Sequence, residues 1–419
     1  MTLLADLLHT VFERRHRSGR LHRDARPLKD LTAALIGTKG EISGQAIACE
    51  LLDRYARWSD AEKLGFFRHL ADDMDVTPEA VRAALDGYVL HRSKASYRDF
   101  LTAAEAPRQE LIRRLNQVPG ATRRLVQMRA DLLRLGRGDD ALMAVDLDFR
   151  HLFASWFNRG FLVLRRISWE SPALLLEKIH AYEAVHAIES WDDLRRRLQP
   201  EDRRCFAFFH PAMADEPLIF VEVALTVGVP GSIQALLADD AVPLDVERAD
   251  TAVFYSISNC QPGLAGISFG NSLIKQVAAD LAVEFAGLRS FVTLSPIPGL
   301  MRWLAAQGIP ADPADDIRMR QLAAHYLTEA RRADGMPLDP VARFHLGNGA
   351  RIEAVHARAD ISARGLRQSG GVMVNYRYDL ARLAANHETF ATERHVATSS
   401  GIRALSSAAS AMLAADGAR

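Results

Sequence analysis

The sequence predicts a two-domain α+β protein: an α-helical bundle over residues 1–157, then a mixed α/β domain over residues 158–419. Three observations lead there. The chain has 419 residues, more than one ordinary hydrophobic core organises. Apolar residues recur at helical spacing through nearly all of the first part. Beyond the aromatic cluster from Phe149 to Phe161, which includes Trp156, short β-branched and aromatic runs alternate with helical patterns.

In the first part, Leu3, Leu4, Leu7, Leu8 and Phe12 form one apolar stripe, and Glu41–Ala56 and Ala61–Asp72 carry others. Thr77-Pro78-Glu79-Ala80 reads as a helix start, with a threonine N-cap, proline in the first turn and an acid just after. Ala106-Pro107, Pro119-Gly120 and Gly136-Arg137-Gly138 punctuate further helices. No internal repeat is visible.

In the second part, Phe161–Ile167 is a candidate strand. Ser171-Pro172 opens a helix reaching Tyr182, and Trp191–Leu198 forms a short one. Cys205–His210 and Leu218–Val227 have the apolarity of buried strands, with Ala214–Pro217 turning between them. Thr251–Ser258 is a further strand. Glycines at 263, 266 and 270 follow it, then a helix with Leu273, Val277, Leu281 and Phe285 four residues apart, then the strand Phe291–Leu294. Arg302–Gln307 and Asp315–Ala333 read as helices, Arg351–Ala357 and Gly371–Tyr378 as strands, and Ser400–Ala415 as a closing helix.

Composition narrows the function classes. Hydrophobic residues are 48% of the chain, charged residues 25%, and the net charge is zero, a balance that argues against a general nucleic-acid or membrane binder. Of 52 basic residues only six are lysine. That arginine excess reads as compositional bias, with a few guanidinium groups available to phosphate or carboxylate. Cys49, Cys205 and Cys260 share no repeated spacing, so they form neither a disulfide framework nor a zinc site and suit a reducing compartment. The opening stretch is amphipathic and basic like a transit peptide, but Asp6 and Glu13 lie within it and its pattern runs on into the bundle. The expected location is the cytoplasm. No stretch approaches the ~20 apolar residues that span a bilayer.

Strand, glycine loop, helix, strand is an arrangement that sets free backbone N–H groups and the positive end of a helix against an anion. The loop runs Gln261 to Ser272, with Asn271 or Ser272 as helix cap. It lacks the Gly-Lys-Ser/Thr of a Walker loop and the G-x-G-x-x-G spacing of a dinucleotide site, so an ordinary capped turn stands beside phosphate binding as a reading. Ser295, in Leu-Ser-Pro-Ile-Pro-Gly, is held extended by Pro296, either aimed at a ligand or merely starting a turn. No G-x-S-x-G elbow points to a hydrolase. His345, in Arg-Phe-His-Leu-Gly-Asn-Gly, precedes the tight-turn signal Asn348-Gly349 and reads as a loop histidine, packed or solvated, or a proton-transfer group. His387-Glu388 lacks the second histidine of H-E-x-x-H. The tyrosines of Asn375-Tyr-Arg-Tyr378 cover the sheet edge or orient a bound acyl group.

Taken together, FYSISNCQPGLAGISFGNSLIK (residues 254–275), TLSPIPG (293–299), RFHLGNGA (343–350) and GVMVNYRYDL (371–380), in that order, closely resemble the malonyl-CoA decarboxylase family. The flanking segments Ile167–Pro172, Tyr182–His186 and Glu216–Phe220 share the resemblance. It is dense from about residue 147 to 380 and looser over the helical part. The resemblance implies a helical domain making oligomer contacts, within a homotetramer, and a catalytic domain of the GNAT acetyltransferase fold. It implies a coenzyme A segment at Ala265, Gly266, Ile267, Ser268, Phe269, Gly270 and Asn271, with Tyr378 also at the ligand. The loop departs from the Arg/Gln-x-x-G-x-G/A spacing of ordinary acetyltransferases. Ser295 and His345 take the places of the family's catalytic serine and histidine. Malonyl-CoA and acetyl-CoA are the implied ligands, with no cofactor beyond the CoA of the substrate. Rival functions are an acyl-CoA-dependent acyltransferase and a catalytically silent acyl-CoA sensor on the same fold.

Overall fold

A computed structural model of the chain describes residues 25–38, 40–267 and 270–417. The apolar stripe of Leu3 to Phe12 lies outside the described residues, as do Ser268 and Phe269. The chain forms two compact units: one reaches to Trp156 and includes Pro262–Ile267, and the other holds Phe157–Gln261 and the residues after the loop.

The first unit contains eight α-helices among its described residues: α1 (Leu28–Gly37), α2 (Glu41–Arg57), α3 (Asp60–Asp72), α4 (Pro78–Leu90), α5 (Lys94–Ala104), α6 (Pro107–Leu115), α7 (Ala121–Leu135) and α8 (Asp140–Trp156). Ser59 begins α3 with a capping box, its side chain and that of Glu62 each meeting the other's backbone N–H. Pro78 occupies the first turn of α4 as expected, although the Thr77 side chain makes no capping bond. Leu51, Phe67, Leu111, Leu125, Phe149 and Phe153 fill the core. The hairpin α4–α5 contributes nothing to it, since neither helix buries a residue.

The segment Pro262–Ile267 packs on α7. A Cβ at Gly263 would fall 1.8 Å from the Val126 carbonyl oxygen, so only glycine fits there. Arg129, buried and ion-paired to Asp146 at 2.7 Å, donates to the carbonyls of Gly263 (2.8 Å) and Ala265 (2.9 Å). The first part of a loop read from sequence as an ordinary capped turn or a phosphate site is thus fixed by a buried arginine.

The second unit is built on an eight-stranded mixed sheet: β1 (Val163–Ile167), β2 (Arg203–Phe209), β3 (Ile219–Thr226), β4 (Thr251–Asn259), β5 (Ser290–Thr293), β6 (Ser295–Pro296), β7 (Arg351–His356) and β8 (Met373–Arg377). Their order is β1-β2-β3-β4-β5-β8-β6, with β7 also on β8. Every pairing is antiparallel except β4–β5, which is parallel and joined by the helix α9 (Gly270–Glu284). That helix begins at Gly270, so Asn271 and Ser272, the two expected caps, lie inside its first turn. Later helices include α10 (Pro340–Gly347) and α11 (Leu383–Glu393), neither of which the sequence reading identified.

Two features of β4 shape the sheet. Glu222 pairs with Ser256 and Val223 with Phe254, so Tyr255 is the extra residue of a β-bulge. Pairing of β4 with β5 ends at Phe254 and Thr293, apart from a bond from Leu294 N to Phe254 O. Beyond that point β4 runs on to Asn259 paired only with β3, and the two parallel strands part.

Candidate active site

The end of β5 is where three of the predicted site residues, Ser295, His345 and Tyr378, meet. Side chains alternate along a strand, so Thr293 and Ser295 share a face. Ser295 is fixed by antiparallel pairing with Val374. Its hydroxyl lies 3.2 Å from His345 Nε2, and His345 Nδ1 lies 2.7 Å from the Tyr378 hydroxyl. Ser295 is 6% exposed, His345 2% and Tyr378 1%.

His345 does not sit in a loop, as its neighbours Gly347-Asn348-Gly349 suggested; it occupies the last turn of α10. The overlooked start signal is Asp339-Pro340. Pro340 takes the first helical turn, and Asp339 accepts from the Val341 and Ala342 N–H groups, each at 2.9 Å. Asn348-Gly349 ends this helix instead of making a hairpin. The His345 carbonyl accepts from the N–H groups of Asn348 and Ala350, and Gly349 adopts φ +83°.

Tyr378 follows β8 directly, its N–H bonded to the Phe291 carbonyl. It does more than cover the sheet edge, because its hydroxyl reaches the imidazole. Tyr376, two residues earlier, stacks on the His345 ring at 4.4 Å between centroids. Burial drives the His345 pKa down to about 3 and pushes both tyrosine phenols well above their ordinary range. At neutral pH the whole chain of groups is therefore uncharged.

One neighbour was missed by sequence reasoning. Thr293 accepts a hydrogen bond from Ser295 at 2.8 Å and another from the Tyr376 N–H at 3.1 Å. Asn375 donates to the Thr293 carbonyl at 2.7 Å, and its own carbonyl accepts from His356 Nε2. Period-two alternation back from Ser295 is the signal that points to Thr293. Asn375 and Tyr376 had been noticed only as parts of a tyrosine-rich strand.

Of the segment expected to bind coenzyme A, Ala265, Gly266 and Ile267 belong to the helical unit, whereas Gly270 and Asn271 open α9. Ser268 and Phe269 are outside the described residues. Cys260, beside this loop, is buried in an apolar cluster with its thiol pushed well up by burial, the setting of an unreactive cysteine. Among the described residues no group of three or more His, Cys, Asp or Glu is arranged to hold a metal ion, and no helix is long and apolar enough to cross a membrane.

A mixed sheet whose parallel central strands are bridged by a helix and then separate defines an open-sheeted α/β domain. Its relatives narrow this class. The family model described as Malonyl-CoA decarboxylase C-terminal domain matches residues 160–316 and 311–415, and the one described as Malonyl-CoA decarboxylase N-terminal domain matches residues 75–157. The mitochondrial malonyl-CoA decarboxylase of Rattus norvegicus is 31% identical, over 90% of this chain and 86% of the rat protein. Crystal structures of malonyl-CoA decarboxylases from Rhodopseudomonas palustris (46% identical, TM-score 0.84) and Agrobacterium vitis (47%, TM-score 0.84) each cover 90% of this chain and 98% of theirs. The chain belongs to the malonyl-CoA decarboxylase family.

Proposed function

We propose that this chain converts malonyl-CoA to acetyl-CoA and CO2 at Ser295 and His345, with residues 158–419 as its catalytic domain. The observation that carries this reading is the buried, uncharged Ser295–His345–Tyr378 hydrogen-bonded chain beside the parting strands β4 and β5. In malonyl-CoA the thioester carbonyl lies β to the carboxylate. When CO2 leaves, that carbonyl accepts the electron pair as an enolate, so the substrate is its own electron sink and needs no cofactor. What the protein must supply is a hydrogen-bond donor to the developing charge, worth ~3 kcal/mol of barrier, and a proton for the carbon left behind. His345 is the acid in this reading. Ser295 holds the His345 ring at the acyl end. The family resemblance assigns coenzyme A to the segment Ala265–Asn271, and Tyr378 supports the acyl end through His345.

The test is incubation with malonyl-CoA in the absence of any acyl acceptor. Release of CO2 and acetyl-CoA is expected, with turnover lost in His345→Ala while CoA binding persists. An acyltransferase or a silent sensor releases no CO2 under these conditions, and that result would sink the proposal.

We also propose a homotetramer, with residues 1–157 as the oligomerisation domain. The α4–α5 hairpin supports it: Leu85, Val89, Leu90, Tyr97 and Leu101 are all exposed on helices that bury nothing within the chain. The three free cysteines suit a reducing compartment, which we take to be the cytoplasm.

A further inference from the structure

The hydrogen bonds around His345 have a direction, and one residue outside the Ser–His pair sets it. The Ser295 hydroxyl donates to Thr293 Oγ1. That oxygen also accepts from the Tyr376 N–H, so both of its lone pairs are in use. A serine has a single proton to donate. With that proton committed to Thr293, Ser295 can only present a lone pair to His345 Nε2. Nε2 must therefore carry the hydrogen of their shared bond. A neutral imidazole has one N–H, so Nδ1 is bare and accepts from the Tyr378 hydroxyl.

We propose that Thr293 is a positioning residue which, by fixing the Ser295 hydroxyl rotor, holds His345 as its Nε2–H tautomer and makes it an acid towards substrate. This rests on the assignment of Ser295 and His345 to the decarboxylation site. Protons here run opposite to those of a serine hydrolase, in which serine donates to histidine and a carboxylate backs the ring. Tyr378 takes the carboxylate's place, and a phenol can donate where a carboxylate only accepts. Thr293 is itself held rigidly. It is fully buried, its carbonyl accepts from Asn375, and the Asn375 amide is oriented by His356.

The proton balance follows. The bond between the carboxylate carbon and the α-carbon breaks, CO2 leaves, and the electron pair remains on the enolate. The Nε2–H proton moves to the α-carbon, giving acetyl-CoA. The Tyr378 hydroxyl proton moves to Nδ1 as Nε2 loses its own, so the ring stays neutral and never becomes imidazolate. To reset the site the Nδ1 proton returns to Tyr378 and one solvent proton enters at Nε2, which restores the starting tautomer and matches the one proton that decarboxylation consumes. A neutral imidazole serving as the electrophile in a site that depresses its pKa has a precedent in triosephosphate isomerase.

Thr293→Val keeps the side-chain shape and removes the acceptor; Thr293→Ser keeps the acceptor. The measurements are kcat and KM for malonyl-CoA, thermal stability, and the 15N shifts of the His345 ring, identified as the signals missing from His345→Gln. Wild type should show a protonated Nε2 and a bare Nδ1. Thr293→Val should lower kcat about a hundredfold, the low end of what a positioned acid contributes, with KM little changed and a mixture of tautomers. Thr293→Ser should restore both rate and tautomer. A protonated Nδ1 in wild type, or wild-type kcat in Thr293→Val, overturns the proposal. Should Thr293→Val fail to fold, the wild-type tautomer decides alone. If Ser295→Ala and His345→Ala also leave turnover intact, the site assignment itself has failed; if they abolish it and Thr293→Val does not, only the role of Thr293 has.

Discussion

A histidine in an unfolded chain binds a proton near pH 6.5, but folded His345 stays neutral down to about 3 because burial disfavours its cation. As pH falls below about 6.5 the unfolded chain gains a proton that the folded one refuses. Stability is therefore unaffected by this group above that pH and is lost progressively as pH drops from there towards 3. The measurement is urea unfolding at several pH values, and His345→Gln should flatten the acid limb relative to wild type. Activity gives a separate reading. If His345 works as a neutral imidazole, as proposed, kcat/KM should show no His345 limb at the ordinary histidine pKa, and the profile should be level from about pH 6 to 8. A limb near 6.5 that disappears in an active His345 variant would mean the imidazole works as a cation.

At the scale of the element, α10 is an eight-residue helix that carries His345 and buries Ala342 and Leu346 beside it. Short helices are marginal by themselves, so its ends matter. Asp339→Ala removes both capping bonds and should cost about 1–2 kcal/mol. Asp339→Asn keeps an acceptor and should retain most of the stability. It also removes a carboxyl whose pKa burial raises to about 6, a group that costs stability as pH rises from near 4 through 6. Denaturant midpoints at acid and neutral pH separate the two variants. At the other end, a Cβ on Gly349 would sit 2.1 Å from the Leu383 carbonyl, and its φ is +83°. Gly349→Ala should destabilise the fold and lower kcat together, since the turn sets the exit of α10.

For the whole molecule, the α4–α5 hairpin makes the sharpest prediction. Tyr88 packs on Tyr97 and Phe100 within the hairpin, while Val89 and Leu101 face outward. Val89→Asp combined with Leu101→Asp should lower the mass seen by light scattering without unfolding the protein. A tetramer that survives both substitutions excludes this face as an interface.

Local chemistry made much of this legible from the residues alone. Helical periodicity before Trp156 and β-branched runs after it predicted two kinds of architecture, and the motifs around Gly263–Gly270, Ser295 and His345 carried the family resemblance. These signals are readable because side-chain period, capping and turn preference act over a few residues. Only the tertiary structure decided the rest. His345 moved from a loop to a helix because Asp339 and Pro340, several residues upstream, start that helix. Pro262–Ile267 joined the helical unit through Arg129, more than 130 positions earlier. The site formed because β5, β6 and β8 pair in one register, bringing Thr293, Ser295, His345 and Tyr378 into a single hydrogen-bonded line across 50 and 33 residues of chain. Such contacts depend on strand register and on side-chain direction at long range, which no local pattern encodes.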